Sequence, residues 1–420
     1  MRSRLLVATV VLGSLFGCKK ETPPAEPEVH AAAAVDASVP SKELELTFLV
    51  TGAENGYLLP TPEAAGAHGG AAEVLGRWLT DEGHCVERDA GACAQGKTIA
   101  LSTGDNANGQ SISSYFKGAS TAEVMALMGY SASAFGNREL DWQRDQFLAN
   151  TRAGAFPYLA ANLKAKDDTG AALGLKPFVL VERQGVKVAI IGLAARKATR
   201  TPMPGRMAGL ELVADDAALD EAIPAARAQG AEVIAIVTDG CLHEVPDLLQ
   251  SHKAWAPAFV AGRDCEREYP ETVGLTRLVY PGRHWNEYAK VKVTLDVLKP
   301  IAERVRKVES ALVPVVAPSK PDATAATVIA GVEEEARRRA RCPHRLQQDG
   351  PRAGIGADER VAHHFTQGSL QDRSRAAQPQ GRAPGPASGT HHQRHHLGPG
   401  ALRERDRHGE AHRRTGARRR

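Results

Sequence analysis

The sequence predicts a mixed α/β fold between residues 44 and 300, and three observations carry that prediction. Short apolar runs alternate with amphipathic stretches along this region. Polar residues gather just after several of the apolar runs, which is where α/β folds place their chemistry. Gly185 separates two apolar runs at the spacing of a tight hairpin turn. In chain order, the runs at 44–51, 97–102, 132–135, 158–161, 178–183, 186–193, 231–238, 258–261, 275–280 and 288–295 read as strands. Between them, 70–82, 120–128, 144–151, 216–229 and 244–252 read as helices. Residues 301–340 turn Val, Ala and Pro-rich and then helix-like, which reads as a linker and helix leading toward a further domain.

Both flanks differ from this region. The chain opens on Met-Arg-Ser-Arg and an apolar run from Leu5 to Phe16, too short to span a bilayer as a stable helix and shaped like an export signal. The run ends at Leu15-Phe16-Gly17-Cys18, similar to a bacterial lipobox, which makes Cys18 the expected lipid attachment point and 1–18 a lipoprotein signal peptide. The competing expectation is ordinary secretion with Cys18 merely near the cut. Residues 19–43 lack large apolar side chains and read as a flexible tether. The expected setting is the cell envelope, with the chain held at a membrane and facing the periplasm or the cell surface.

At the other end, residues 341–420 hold sixteen Arg, no Lys, nine of the fifteen His and a single aromatic residue, Phe365. This tail lacks helical or strand periodicity and should stay disordered. Arg, Pro, Gly, His and Ala without Lys is the composition of a GC-rich gene read in a shifted frame; a genuine basic tail is the alternative. The formal charge of +4 is set by this tail, because residues 1–340 carry about five more acidic than basic groups. Nucleic acid is therefore not an expected partner.

Four cysteines fall in the predicted fold as two local pairs, Cys85 with Cys93 and Cys241 with Cys265. In an oxidising envelope these read as disulfides. Zinc is the alternative, although the spacings lack the CxxC knuckles of a structural zinc site.

The polar segments that follow the apolar runs come in a set order: Thr51-Gly52-Ala53-Glu54-Asn55-Gly56, Ser102-Thr103-Gly104-Asp105-Asn106, Phe135-Gly136-Asn137-Arg138-Glu139-Leu140-Asp141, Val237-Thr238-Asp239-Gly240-Cys241 and Ala261-Gly262-Arg263-Asp264-Cys265. With Asn55-Gly56-Tyr57-Leu58, with Phe156 to Asn162 and with Gly185 to Leu193, they resemble the calcineurin-like metallophosphoesterases of the 5′-nucleotidase and UDP-sugar hydrolase type. That resemblance implies a four-layer α-β-β-α sandwich over residues 44–300. It also implies two divalent metals, Mn²⁺, Zn²⁺ or similar, with a metal-activated hydroxide attacking phosphorus. The ligand set it implies falls here on Ala53 and Asn55, Asp105, Asn137 with Arg138, Asp239, and Arg263 with Cys265. Asp105, Asn137 and Asp239 are the candidate metal ligands.

Ala removes a ligand outright, and a guanidinium repels the ion whose ligand it replaces. The metal site is therefore expected to be impaired, holding one weakly bound metal or none. Glu54, His243 and His284 are candidates to restore a ligand. Arg138 and Arg263 offer planar donor forks that match phosphate oxygens. Arg138 is the candidate catalytic residue and, with Arg263 and Asn55, a candidate ligand contact; simple pairing of Arg138 with Glu139 or Asp141 is the plainer alternative. The glycine-bounded loop at 104–109 lacks the ending of a P-loop, and Ser111, Ser113 and Ser114 lack a nucleophile context. Two functions follow. One is an envelope phosphoesterase acting on nucleotides or related phosphate esters; the other is a non-catalytic lipoprotein that binds a phosphorylated or anionic ligand.

Overall fold

The computed structural model describes residues 41–341 except 64–65, 87–90, 196–204 and 266. The lipobox with Cys18, the tether up to residue 40 and the Arg-rich tail beyond residue 341 lie outside the described residues. No helix among the described residues is long and apolar enough to cross a membrane.

Two six-stranded mixed sheets form the centre. The first takes β1 (Glu43–Thr51), β2 (Thr98–Ser102), β3 (Tyr130–Ala134) and β4 (Tyr158–Leu159) as parallel neighbours. The second takes β5 (Phe178–Arg183), β6 (Val186–Leu193), β7 (Val233–Cys241), β8 (Phe259–Arg263), β9 (Thr272–Val273) and β10 (Thr276–Val279), with β6, β7, β8 and β10 parallel. The chain then returns to the first sheet as β11 (Glu287–Asp296), antiparallel to β1, and β12 (Val305–Pro314), antiparallel to β11. The β5–β6 hairpin turns through Gln184 and Gly185, both at positive φ, so the predicted glycine sits where the two-residue turn requires it.

Each strand's period of two divides its side chains between layers. Leu46, Phe48 and Val50 of β1 face Val188, Ile190, Val237 and Phe259 of the second sheet in one inner core, where the Phe48 and Phe259 rings meet edge to face at 4.9 Å. Leu49 points the other way, toward Val74 and Trp78 of α1 (Ala71–Asp81), Met125 of α2 (Ala119–Met128) and Phe147 of α3 (Arg144–Gly154). Ala189 and Ile191 likewise point outward, to Leu219 and Ile223 of α4 (Asp215–Ala228) and Leu249 of α5 (Val245–Ser251). The result is the expected α-β-β-α sandwich. Strands buried on both faces explain why 186–193 reads as a continuous apolar run rather than an alternating one.

Residues 301–340 differ from the linker expectation. β12 closes the edge of the first sheet, and α6 (Ala323–Arg341) buries Ala325, Val328 and Ile329 in the same cluster as α1 and α2. An edge strand with charge on both faces (Arg306, Lys307, Glu309) has no apolar periodicity to betray it. Both disulfides are formed, with Cα separations of 5.7 Å for Cys85–Cys93 and 5.6 Å for Cys241–Cys265, which sets aside the zinc alternative.

Candidate active site

The site lies where the parallel strands of both sheets end. The loops after β1 and β2 are laced together by backbone bonds from Ala53 N to Gly104 O, Asn55 N to Asp105 O and Gly56 N to Asn106 O, at 2.7–2.9 Å. Ala53, Asn55 and Asp105 all take positive φ, an arrangement strained for residues with a side chain and held by this lacing. The loop after β3 comes closer still. A Cβ on Gly136 would stand 2.5 Å from Asp105 N and Oδ1, so only glycine lets this loop reach the Asp105 carboxylate.

Asp105 is 3% exposed and Asp239 1%. Arg138 N donates to Asp105 Oδ1 at 3.0 Å, while Arg263 Nη1 donates to Asp105 Oδ2 at 2.6 Å and to Asp239 Oδ1 at 2.8 Å. Burial alone would lower the Arg263 pKa, but Asp239 and Asp105 outweigh it and raise it, so the guanidinium stays charged. Cys241 pairs with Arg263 in the β7–β8 ladder, and the Cys241–Cys265 disulfide joins the chain two residues beyond each member of this clamp.

Beneath the clamp lies a second acidic layer. Glu54, fully buried, accepts from Thr51 Oγ1 at 2.5 Å and Ser102 Oγ at 3.1 Å, and burial pushes its carboxyl up to about 7. Glu139 accepts from Asn106 N at 2.9 Å through Oε1, while its buried Oε2 has no partner among the described residues. Burial, then the charge of Asp105, raises the Glu139 carboxyl well above the usual range. Asn106 joins the layers, accepting from Ser102 Oγ and donating to Ser133 Oγ and the Tyr158 hydroxyl.

The sequence-predicted residues divide between these places. Asp105, Asp239 and Arg263 meet in one ion triad, and the buried Asn137 lies in the loop whose next residue bonds Asp105. The Arg138 side chain, 46% exposed, turns to Asp141 at 3.3 Å, the plainer of its two expected roles. Asn55 Nδ2 donates to Ala53 O at 3.0 Å, a bond within its own loop. His284 stacks on Tyr57 with ring centroids 3.8 Å apart, and burial lowers its pKa to about 4, so it is neutral. The buried network of Glu139 and Asn106 was visible in sequence only as neighbours of the motif residues.

The arrangement does not fit a two-metal centre. The guanidinium of Arg263 occupies the contact with Asp105 and Asp239 that a bridging cation would need, and it repels such a cation. Among the described residues no three His, Cys, Asp or Glu side chains gather at metal-ligand spacing.

Known proteins place this architecture. The chain superposes on the calcineurin-like phosphoesterase YfkN of Bacillus subtilis with a TM-score of 0.57, at 15% identity, covering 71% of this chain and 100% of that one. It superposes on a 5′-nucleotidase precursor of Thermus thermophilus with a TM-score of 0.59, at 16% identity, covering 70% of this chain and 59% of that one. The fold is thus that of the calcineurin-like phosphoesterases. In sequence the chain is 32% identical over 113 residues to a 5′-nucleotidase of Diplobatis ommata, covering 26% of this chain and 19% of that protein. It is 29% identical over 208 residues to a 5′-nucleotidase of Vibrio parahaemolyticus, covering 49% and 33% respectively. Against the protein UshA of Yersinia enterocolitica it is 29% identical over 170 residues, covering 40% and 29%. No family profile matches the chain. Within the phosphoesterases, the resemblance is to the 5′-nucleotidase type, and the matched stretches span about a fifth to a third of those relatives' length.

Proposed function

We propose that this chain is a 5′-nucleotidase-like phosphoesterase of the cell envelope, acting on nucleotides or related phosphate esters, with an impaired metal site, and held at a membrane by lipid on Cys18. The observation that carries the reading is the placing of Asp105, Asn137 and Asp239 where the parallel strands of both sheets end, in a fold shared with phosphoesterases. Asp105 and Asp239 are the acidic groups that would face the reacting phosphate. At this crest, formed by the strand ends, Arg138 N–H fixes one carboxylate, Arg263 fixes both, and the Ala53–Asn55 loop is bonded by its backbone to the Asp105 loop.

One observation favours a second reading, in which ligand binding has replaced turnover. Arg263 holds the contact to both carboxylates, so a guanidinium stands where a cation would lower the pKa of an attacking water, which is the metals' task in this class.

Hydrolysis of 5′-AMP and of a chromogenic phosphodiester by the purified chain, with and without Mn²⁺ or Zn²⁺, separates the two. Slow turnover that falls to background in Asp105→Ala supports the enzyme; nucleotide binding without turnover in any metal supports the second reading. Fractionation of the expressing cells tests the anchor. Cys18→Ala should move the chain from the membrane to the soluble fraction, and an unchanged distribution would reject lipid attachment there.

A further inference from the structure

The ion triad at the strand ends joins the two sheets through side-chain charge. Asp105 follows a strand of the first sheet, whereas Asp239 and Arg263 belong to strands of the second. A single nitrogen, Arg263 Nη1, contacts both carboxylates, at 2.6 and 2.8 Å. Two carboxylates this deeply buried need a positive charge between them, because an uncompensated buried charge is costly. Here the chain supplies it. Cys241 is the ladder partner of Arg263, and its disulfide to Cys265 fixes the ends of the two strands that present Asp239 and Arg263, which limits how far the guanidinium can withdraw.

We propose that Arg263 is a built-in substitute for a divalent cation: it bridges Asp105 and Asp239 across the two sheets and bars metal from the crest. Replacing it with a smaller residue therefore creates a divalent-cation site. The inference rests on the phosphoesterase reading for the location of the crest, but not on turnover. The bridge is made by one nitrogen shared between two carboxylates, so its removal leaves both facing a space that an oxygen-seeking ion fills. Histidine at the same position adds an imidazole ligand to the two carboxylates.

The test uses the whole chain, stripped with a chelator and titrated with MnCl₂ or ZnCl₂ while the melting temperature and the bound metal are measured. The wild type should show no saturable rise in melting temperature. Arg263→Ala and Arg263→His should each show one, with at least about tenfold tighter binding than the wild type, His tighter than Ala. Adding Asp105→Asn to either variant should abolish the response. A wild-type chain that binds Mn²⁺ saturably and loses it on Asp105→Asn overturns the proposal, as does a folded Arg263→His chain with no metal response. If Arg263→Ala does not fold without metal, recovery of folding by Mn²⁺ supports the proposal. Arg263→Lys keeps a charge for the two carboxylates and should fold and stay silent to metal; binding as tight as that of Arg263→His overturns it. Hydrolysis of 5′-AMP measured on the same samples keeps the two ideas apart. Its absence in the wild type rejects the enzymatic reading, whereas only the metal titrations decide the role of Arg263.

Discussion

The crest and the layer beneath it handle buried carboxyl groups in opposite ways. At the crest, Asp105 and Asp239 share the charged Arg263. One layer down, Glu54 and Glu139 have only hydroxyl and amide donors, and burial holds both toward the neutral acid. The two layers are neighbours, close enough for the charge of Asp105 to raise both glutamates. What separates them is the reach of one guanidinium, which bonds the two aspartates and leaves the two glutamates to hydroxyl and amide donors.

Removing that cation should break the comparison most sharply. Arg263→Ala removes the positive charge shared by two buried carboxylates and should cost about 3–5 kcal/mol in denaturant unfolding. A loss under about 1 kcal/mol would mean that the crest tolerates both charges. Cutting the covalent tie beside the clamp should cost somewhat less. Replacing Cys241 and Cys265 together by Ser opens a loop of sequence separation 24 and should lower stability by about 3 kcal/mol in the same assay.

The lower layer predicts a pH dependence with a definite sign. The folded pKa of Glu54, about 7, lies above the ordinary value of 4.5, so its contribution is fully present below pH 4.5 and lost as pH rises through 7. Up to about 3 kcal/mol is at stake across that window. Glu54→Gln keeps the shape and an acceptor oxygen, so it should flatten this part of the profile and be the more stable form at pH 8. Equal pH profiles for the two forms would remove the contrast between the layers. The smallest effect belongs to Arg138, whose half-exposed pair with Asp141 should contribute less than about 1 kcal/mol. Arg138→Ala should barely move the unfolding midpoint, and a fall in nucleotide affinity in that variant would give the side chain a role in binding.

Much of this was legible before the structure. The strands ending at Thr51, Ser102 and Leu193 and the helix around Val124 and Met125 stand out as apolar runs, because elements packed against neighbouring layers carry few polar residues. β12 did not stand out, and α6 was legible as a helix but not as part of this core. β12 takes its place through backbone pairing with β11, and α6 through three small or branched residues, Ala325, Val328 and Ile329, set among charge and alanine. At the site, Asp105, Asn137, Asp239 and Arg263 were readable as motif positions. The side chains' partners were not: Arg138 turns to Asp141, and Arg263 turns inward to two aspartates 24 and 158 residues away.

The sequence by itself determined the alternation of strands and helices and the order of the polar strand ends, because each is written in local spacing or in the nature of a side chain. Only the tertiary structure decided the partners of the charged groups at the crest. Whether an arginine meets an incoming phosphate or neutralises its own aspartates depends on which groups two separate sheets bring within 3 Å of it, and here Nη1 stands 2.6 Å from Asp105 and 2.8 Å from Asp239. Distances of that kind, fixed by how the sheets stack, have no counterpart in the spacing of residues along the chain.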